Sequence, residues 1–411
     1  MPQLKAAQPI LVFNCGSSSL GCRLYGFDDR LDPQPVFSAK AHRVGVTGSE
    51  PSFLQYGAAG ASRKTVLPLP NHRTAARRIL ECIEEMGLEV GWIGHRFVHG
   101  GEDFRESVVV DEAILEKLTD CAPLAPIHNP LSLSVVHECR KVLPGHVQYV
   151  TFDNAFHAHI PEWAYTYAVP QSVRDHFNYR RYGFHGLSYS YIARTAPFFL
   201  GMPAEAIKMV VCHLGTGGAS VCAIDGGRSV DSSMGYSPLT GLLMSTRCGD
   251  VDPMLALELI VAYDMHPDDV LSLLTNRSGL LGVTGFSSDL RDILQNTVPE
   301  RAERAALAFE MYTHRLRKYI GSFVVTLGGI DALIFTDDIG LTNWRVRERV
   351  CRDMEWCGVV LDDEANRNAT TACAASIEAV GSKVKVVVMP TEEELVIAQE
   401  GMGLIGNEVA S

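Results

Sequence analysis

Two turns rich in Gly and Ser, each placed between apolar strands, constrain the fold of this chain more than any other feature. The first turn, residues 14–19 (Asn-Cys-Gly-Ser-Ser-Ser), joins the apolar run at residues 10–13 to a second strand at residues 23–27. The second turn, residues 215–220 (Gly-Thr-Gly-Gly-Ala-Ser), lies inside the apolar segment 208–224. Because the unit recurs after about 200 residues, the sequence predicts two related domains that face each other across a central cleft.

Both turns have the composition of a phosphate-binding loop. Gly16 and the serines after it combine small side chains with free backbone N–H groups, so an anion can approach the main chain closely. An ordinary Gly/Ser hairpin loop would have the same composition. A weaker third unit is the stretch 331–340, for which we expect a strand that ends in a polar loop before a helix.

Length and composition indicate a globular protein of two domains. The chain has 411 residues, of which 46% are hydrophobic and 20% are charged, and its net charge is -12. This acidic balance argues against nucleic acid as a partner, so an anionic substrate requires local Arg and His clusters. The cysteines lie mostly in apolar segments and form no C-x-x-C pair, which is typical of reduced residues in a cytoplasmic enzyme. We expect neither a signal peptide nor a membrane span.

Strands alternate with helices along the chain, which predicts an α/β fold. The first domain is expected at residues 1–158 and the second at residues 159–390, with a C-terminal helix at 391–411 packing back on the first. Helices are expected to begin after Asn71 and after Asp111, because both side chains suit an N-cap position. Further helices are expected near residues 130–142, 185–197, 253–263, 301–322 and 343–354, and further strands from Gly91 and from His146.

Four loop residues are candidates for anion binding or catalysis. Arg96 lies between two histidines and two glycines, which suits neither a core nor a solvated face, so we interpret it as an anion ligand. Arg247 lies in a loop of small residues, where it binds an anion or is simply solvated. His128 at a Pro-flanked turn and His185 before a helix are each either catalytic or capping residues.

The histidine spacing does not indicate a zinc site. His95 and His99 are four residues apart, but on a strand and turn this spacing does not place both rings on one side. The sequence has no H-E-x-x-H motif. The carboxylates Asp153 and Glu393 better suit Mg²⁺, which takes one or two carboxylates and completes its shell with water and phosphate oxygens.

Taken in order, the motifs of this chain resemble those of the acetate kinases, and they cover nearly its whole length. They are Asn14-x-Gly-Ser-Ser-Ser, Gly94-His-Arg-x-Val-His-Gly-Gly-Glu102, Ala125-Pro-x-His-Asn-Pro130, Phe152-Asp-x-Ala-Phe-His157, Arg181-Tyr-Gly-Phe-His-Gly186, His213-Leu-Gly215, Asp231-x-Ser-Met-Gly235 and Thr246-Arg-x-Gly-Asp250. The resemblance implies the two-domain fold of sugar kinases, Hsp70 and actin, a duplicated ribonuclease H-like fold, and a homodimer. It also implies reversible phosphoryl transfer between acetate and a phosphoryl donor, with Mg²⁺ or Mn²⁺.

The residue types suit this chemistry. A carboxylate is already an adequate nucleophile, so a kinase for acetate needs no general base, whereas a sugar kinase does. Catalysis then consists of positioning and charge neutralisation. By similarity, Arg96 and Arg247 hold the carboxylate and the transferring phosphoryl group, and His185 donates to the equatorial oxygens in the transition state.

The resemblance also assigns residues to the substrates and the metal. The anion is supported by His128 and His213, and the metal is organised by Asn14, Asp153 and Glu393. The pocket for the acetate methyl consists of Val98, Ile127, Phe184 and Pro238. The residues on the donor side are Asn14, Ser17, Ser19, His213, Gly215, Thr216, Gly217, Asp338 and Gly340. Because one methyl contact is worth only about 1–3 kcal/mol, propionate is expected as a second substrate.

The chain departs from the family pattern on the donor side. ATP-using members have Lys two residues after the Ser triplet, where this chain has Gly21, and Asn in the second loop, where it has Thr216. Their adenosine loop reads Phe-Thr-Ala/Gly-Gly-Ile-Gly-Glu-Asn, whereas residues 335–342 read Phe-Thr-Asp-Asp-Ile-Gly-Leu-Thr. Asp338 therefore adds bulk and negative charge beside the expected adenine site.

These departures resemble the pyrophosphate-type acetate kinases, whose nucleoside pocket is obstructed, and favour pyrophosphate and phosphate over ATP and ADP. The alternative is an ATP-dependent acetate or propionate kinase in which Asp338 turns outward and the adenosine site survives. An alternative of another class is a non-catalytic, phosphate-sensing member of the superfold. Such a protein would be expected to lose one of four residues that this chain keeps, namely Arg96, Asp153, His185 and Arg247.

Overall fold

The computed structural model describes residues 8–28, 32–48, 50–58 and 60–410. The chain divides into two compact units. The first runs to Phe156 and resumes at Glu392, and the second is His157–Thr391. Each unit contains one mixed β-sheet flanked by helices, which is the α/β class that the sequence predicts.

The described residues of the first unit form an eight-stranded sheet in the order β5-β4-β3-β2-β1-β6-β8-β7. The strands are β1 (Ile10–Cys15), β2 (Ser19–Phe27), β3 (Pro33–His42), β4 (Phe53–Ala58), β5 (Arg63–Val66), β6 (Trp92–Phe97), β7 (Val108–Val109) and β8 (Val147–Phe152). The helices are α1 (His72–Glu85), α2 (Glu112–Asp120), α3 (Asn129–Val142) and the C-terminal helix Glu393–Ala410. β6 runs parallel to both β1 and β8, and the other pairs are antiparallel.

The second unit has a six-stranded sheet in the order β11-β10-β9-β12-β14-β13. The strands are β9 (Lys208–Leu214), β10 (Ala219–Asp225), β11 (Arg228–Ser232), β12 (Ala332–Thr336), β13 (Ala375–Ser376) and β14 (Lys385–Val388). The helices are α4 (Glu162–Tyr165), α5 (Gln171–Phe177), α6 (Gly186–Leu200), α7 (Pro253–Val261), α8 (Pro267–Asn276), α9 (Gly279–Thr284), α10 (Leu290–Leu294), α11 (Ala302–Thr326), α12 (Asp337–Thr342), α13 (Trp344–Cys351) and α14 (Asp363–Asn368); the C-terminal helix is α15.

The two sheets share one topology. In β3-β2-β1-β6-β8 and in β11-β10-β9-β12-β14, three antiparallel strands are followed by two parallel ones. The two Gly turns also close in the same way, because Gly16 N donates to Ser19 O at 2.9 Å and Gly215 N donates to Gly218 O at 3.0 Å. The predicted duplication is thereby confirmed.

Local signals in the sequence explain where several elements begin. Asn71 Oδ1 accepts from Thr74 N at 2.9 Å and Asp111 Oδ1 accepts from Ile114 N at 2.7 Å, so both predicted N-caps are confirmed. The polar loop expected after β12 is wrong, because α12 begins directly at Asp337. Two acidic residues in its first turn complement the positive end of the helix dipole.

In the first unit, α15 packs closely on the sheet because two glycines make room for it. A Cβ at Gly94 would lie 2.4 Å from Tyr149 Oη, and one at Gly401 would lie 2.5 Å from the same ring. Tyr149 Oη donates to Ile397 O at 2.7 Å. This packing fixes the first turn of α15, which carries Glu393 and Glu394, beside the end of β1.

All the cysteines are free, and most of them are buried. Across the described residues, none of the helices is both long enough and apolar enough to span a membrane.

Arg347 secures the end of α12 from inside the second unit. The side chain is 1% exposed, and it donates to the carbonyls of Gly340 and Leu341 at 2.7 and 2.8 Å. It also donates to Asn366 Oδ1 and to Asn366 O, both at 2.7 Å. Burial lowers the pKa of the guanidinium to about 10.

We predict that Arg347→Met destabilises the second unit by about 3 kcal/mol or more, because buried carbonyls lose their donors. Arg345→Met is the matched control: Arg345 is exposed and stacks on Trp344, so its loss costs about 1 kcal/mol or less. Urea unfolding followed by circular dichroism measures both. Equal midpoints for the two variants would contradict this account of Arg347.

Candidate active site

One cluster of predicted site residues lies in the first unit. We call Asn14, Arg96, Asp153, Glu393 and Glu394 the arginine–carboxylate cluster. β6 and β8 are parallel neighbours, so their carboxyl ends place Arg96 beside Asp153. Arg96 Nε and Nη2 donate to the two Asp153 oxygens at 2.9 and 2.6 Å. The pair is largely buried, with 18% of the Arg96 and 2% of the Asp153 side chain exposed.

Asn14 joins this ion pair to α15. Arg96 Nη1 donates to Asn14 Oδ1 at 2.9 Å, and Asn14 Nδ2 donates to Glu393 Oε2 and Glu394 Oε1 at 3.2 and 3.3 Å. Burial disfavours the charge on Arg96, but the three carboxylates raise the pKa of its guanidinium above the ordinary value. Arg96 is therefore a permanent cation held among anions.

Buried amides brace the loop that follows Arg96. Asn129 Oδ1 accepts from His99 N at 3.2 Å while Asn129 Nδ2 donates to His99 O at 2.9 Å. Asn154 Oδ1 accepts from Gly100 N at 2.9 Å. Asn154 directly follows Asp153, so the same segment supplies a charge and holds the loop.

A second group of predicted residues lies in the second unit. We call His185, His213, Ser220 and Arg247 the histidine cluster. His185 has a left-handed backbone, with φ of 59°, and its ring stacks on His213 with 4.1 Å between centroids. His185 Nδ1 lies 2.8 Å from Ser220 Oγ, which is also 2.5 Å from Tyr189 Oη. Neither His185 nor His128 forms a side-chain cap on its helix.

Gly218 brings Arg247 and His185 together. A Cβ at Gly218 would lie 3.4 Å from Arg247 Nη2 and 3.5 Å from His185 Nε2, so both groups face the same backbone. Arg247 Nη1 donates to Pro238 O at 2.9 Å, and among the described residues it makes no ion pair with a carboxylate. Burial lowers the pKa of Arg247 below its ordinary value. A partly buried cation without a carboxylate partner is suited to binding an anion.

Two aspartates of α12 contact the second Gly turn. Asp338 Oδ2 accepts from Thr216 Oγ1 at 2.7 Å, and Asp337 Oδ2 lies 3.0 Å from His213 Nε2. His213 Nδ1 lies 2.9 Å from Ser188 Oγ. A Cβ at Gly215 would lie 2.4 Å from Asp337 Oδ2. Asp338 therefore turns towards the Gly turn and not away from it.

The remaining predicted residues have varied surroundings. Ser17 and Gly217 are exposed at the tips of the two turns, Ser19 and His128 are half-buried, and Gly340 is buried in α12. Of the expected methyl pocket, Val98 and Phe184 are buried, Pro238 is half-buried and Ile127 is 54% exposed. Their grouping into one pocket stays a prediction.

Sequence reasoning missed Ser188, Tyr189 and Ser220, which contact the two histidines. These residues lie far from their partners along the chain, since Ser220 follows His185 by 35 positions. The available signal was the run Ser-Tyr-Ser after His185 on the first turns of α6.

Comparison with known proteins decides the family. The sequence profile of the Acetokinase family matches residues 9–399. The chain belongs to the acetokinase family. Acetate kinase from Clostridium acetobutylicum is 38% identical over 96% of this chain and 98% of its own length.

Solved structures agree with this assignment. The structure of acetate kinase from Entamoeba histolytica has a TM-score of 0.85 and 41% identity, covering 96% of this chain and 98% of that one. The structure of a propionate kinase from Francisella tularensis has a TM-score of 0.86 and 31% identity, covering 96% and 99%. The fold of this acetokinase-family protein is therefore the one that its motifs imply.

Proposed function

We propose that this protein is an acetate kinase that uses pyrophosphate and phosphate in place of ATP and ADP. In the forward reaction an acetate oxygen attacks one phosphorus of pyrophosphate, the bridging P–O bond breaks, and orthophosphate leaves with the bonding electrons. Acetyl phosphate is the second product. The observation that carries the donor choice is the hydrogen bond from Thr216 to Asp338 across the second Gly turn.

Arg96 and Arg247 are the proposed ligands of the reacting anions. Arg96 is charged under all ordinary conditions, and it keeps its orientation through Asp153 and Asn14. Arg247 carries an uncompensated charge that an incoming phosphoryl group neutralises. Planar guanidinium groups suit both carboxylate and phosphoryl oxygens, which supports this assignment.

His185 is the proposed donor to the transferring group. Burial raises the pKa of Tyr189 well above its ordinary value, so this phenol stays protonated. If Tyr189 donates to Ser220 and Ser220 donates to Nδ1, the proton of neutral His185 lies on Nε2. Nε2 is the atom that faces Gly218 beside Arg247. A hydrogen-bond donor there would stabilise negative charge on the oxygens of the phosphoryl group in the transition state.

Asn14, Asp153 and Glu393 are the proposed ligands of Mg²⁺ or Mn²⁺ in the first unit. Asp153, Glu392, Glu393 and Glu394 carry four negative charges against the two positive charges of Arg96 and Arg23, which leaves two uncompensated. Among the described residues no group of three His, Cys, Asp or Glu side chains is placed to hold a metal ion. The proposed set has two carboxylates, Asp153 and Glu393, and the amide oxygen of Asn14. When bound, the cation would neutralise phosphate charge. Loss of activity with EDTA, restored by Mg²⁺, tests this site.

The aspartates of α12 support a donor without a nucleoside. Asp338 replaces the Gly of ATP-using members, and its bond to Thr216 places a carboxylate against the loop that would line the adenosine. Pyrophosphate needs no such space.

The second candidate donor is ATP. It is favoured by the fact that both aspartates also suit a helix N-terminus, so their presence need not concern the donor. Propionate is a proposed second acceptor, supported by the propionate kinase similarity.

We predict that wild-type protein forms acetyl phosphate from acetate, Mg²⁺ and pyrophosphate at least ~10-fold faster than from ATP, because Asp338 excludes the nucleoside. Asp338→Gly should gain ATP use, and Asp338→Asn should separate the effect of charge from that of bulk. Hydroxamate trapping of the acyl phosphate measures all rates.

Asp363→Gly is the matched control, since Asp363 also lies in a first helical turn and is exposed. Rapid ATP use by the wild type would contradict the pyrophosphate proposal and show that the protein is an ATP-dependent acetate kinase. No activity with either donor would favour the non-catalytic, phosphate-sensing alternative.

We predict that Arg247→Ala lowers kcat by about 10³-fold, because the partly buried cation that neutralises the phosphoryl group is lost. Arg247→Lys should keep only part of the wild-type kcat, since Lys lacks the planar, two-pronged guanidinium group. Arg228→Ala, at an exposed position of the same unit, should stay within about two-fold of wild type. Steady-state kinetics with unchanged melting temperatures would support the role, and an active Arg247→Ala would refute it.

We further propose a homodimer formed through α7. This helix consists mostly of apolar residues, and none of them is buried within the chain. Met254 is 62%, Leu257 is 52% and Val261 is 80% exposed, and exposed apolar side chains grouped on one helix are typical of an interaction surface.

We predict that sedimentation equilibrium gives twice the chain mass and that Leu257→Glu gives a monomer, because a charge would be buried at the interface. Val380→Glu, at a fully exposed site away from α7, is the control and should remain dimeric. A wild-type monomer would rule out the dimer.

A further inference from the structure

Gly21 leaves an unfilled position beside the arginine–carboxylate cluster. A Cβ at Gly21 would lie 3.4 Å from Glu394 Oε1 and 3.5 Å from Asn14 O. ATP-using family members place a lysine here, so their cation would extend along this surface. In this chain the lysine of position 21 is replaced by glycine, while Asn14 and Arg96 remain.

The strand register places another lysine directly opposite the gap. Asn14 pairs with Gly21, Gly21 with Lys40, and Lys40 with Gln55, so these residues form one row across four strands. Directly opposed side chains share a face of the sheet. The flexible stem of Lys40 is longer than the spacing of about 4.8 Å between strands, so it is long enough to cross Gly21 towards Asn14.

All these groups line one cavity of about 520 Å³ within the first unit. Its lining includes Asn14, Gly21, Lys40, Arg96 and Glu394. The opposite face of the same strands is the apolar core, with Leu20, Ala41 and Leu54 among its members. The cavity is thus a polar extension of the arginine–carboxylate cluster along the sheet.

Lys40 is the available cation on this surface. Arg23 is held by Glu392 at 2.9 Å, and Lys64 lies over the Phe53 ring at 4.0 Å. Lys40 has no ion-pair or hydrogen-bond partner among the described residues. Burial, and after it the charges of Lys40 and Lys64, lower the pKa of His42.

We propose that Lys40 binds the phosphoryl donor and supplies from β3 the cation that ATP-using relatives supply at position 21. The ligand is inorganic pyrophosphate, and the Lys40 ammonium contacts the phosphate that leaves as orthophosphate. This inference rests on the proposed function and adds a donor-binding residue to it. Gly21 is part of the arrangement, because any larger side chain would obstruct the reach of Lys40.

The test is steady-state kinetics of the full-length protein with Mg²⁺, acetate and pyrophosphate. Lys40→Gln should raise the KM for pyrophosphate at least ~10-fold and, in the reverse direction, the KM for phosphate similarly, with the KM for acetate unchanged. The double variant Gly21→Lys with Lys40→Gln should restore the donor KM to within about three-fold of wild type, because the charge returns from the neighbouring strand.

Lys64→Gln is the matched control. Lys64 follows Gln55 in the same row, but it lies outside the cavity lining. Its loss should leave the donor KM unchanged. An equal effect of Lys64→Gln and Lys40→Gln would show a diffuse field and overturn a direct contact.

The outcomes separate this inference from the proposed function. If wild type transfers phosphoryl groups from any donor but Lys40→Gln leaves that donor's KM unchanged, the Lys40 assignment is wrong and the kinase stands. If wild type makes no acetyl phosphate with any donor, the proposed function itself fails. Circular dichroism melting of each variant confirms that the fold is intact.

Discussion

The ion pair between Arg96 and Asp153 is the interaction on which the first unit's site depends. Two charges are taken out of water at the ends of adjacent parallel strands, which is tolerated only because the geometry is bidentate and Asn14 satisfies a further donor. The sheet topology determines that these two strands are neighbours. The first Gly turn places Asn14 in this network, and the packing of α15 places Glu393 and Glu394 there. Several elements thus contribute to a single charged network.

The second unit repeats the topology but reverses the electrostatic arrangement. His213 lies at the end of β9, in the position that corresponds to Asn14 at the end of β1. It contacts Asp337 and stacks on His185. Arg247 lacks a carboxylate partner among the described residues, whereas Arg96 has several. One duplicated fold thus presents a pre-paired arginine in one unit and an unpaired one in the other, which suits an enzyme that must bind an anion and neutralise its charge.

Much of this could be predicted from sequence because the decisive signals are local. Apolar runs around Gly turns indicated β1, β2, β9 and β10, and the caps at Asn71 and Asp111 marked two helices. The start of α12 was missed because Asp337 and Asp338 suit a polar loop as well as a helix N-terminus. Contacts such as Ser220 with His185, and the row that places Lys40 opposite Gly21, depend on strand register and tertiary packing, which residue order alone does not specify.

We propose that inorganic pyrophosphate is the phosphoryl donor. Phosphorus-31 NMR of one reaction containing acetate, Mg²⁺ and equal concentrations of pyrophosphate and ATP tests it directly, because every phosphorus species gives its own signal. We expect pyrophosphate to disappear, acetyl phosphate and orthophosphate to appear in equal amounts, and ATP to persist. Consumption of ATP with formation of ADP while pyrophosphate persists would contradict it.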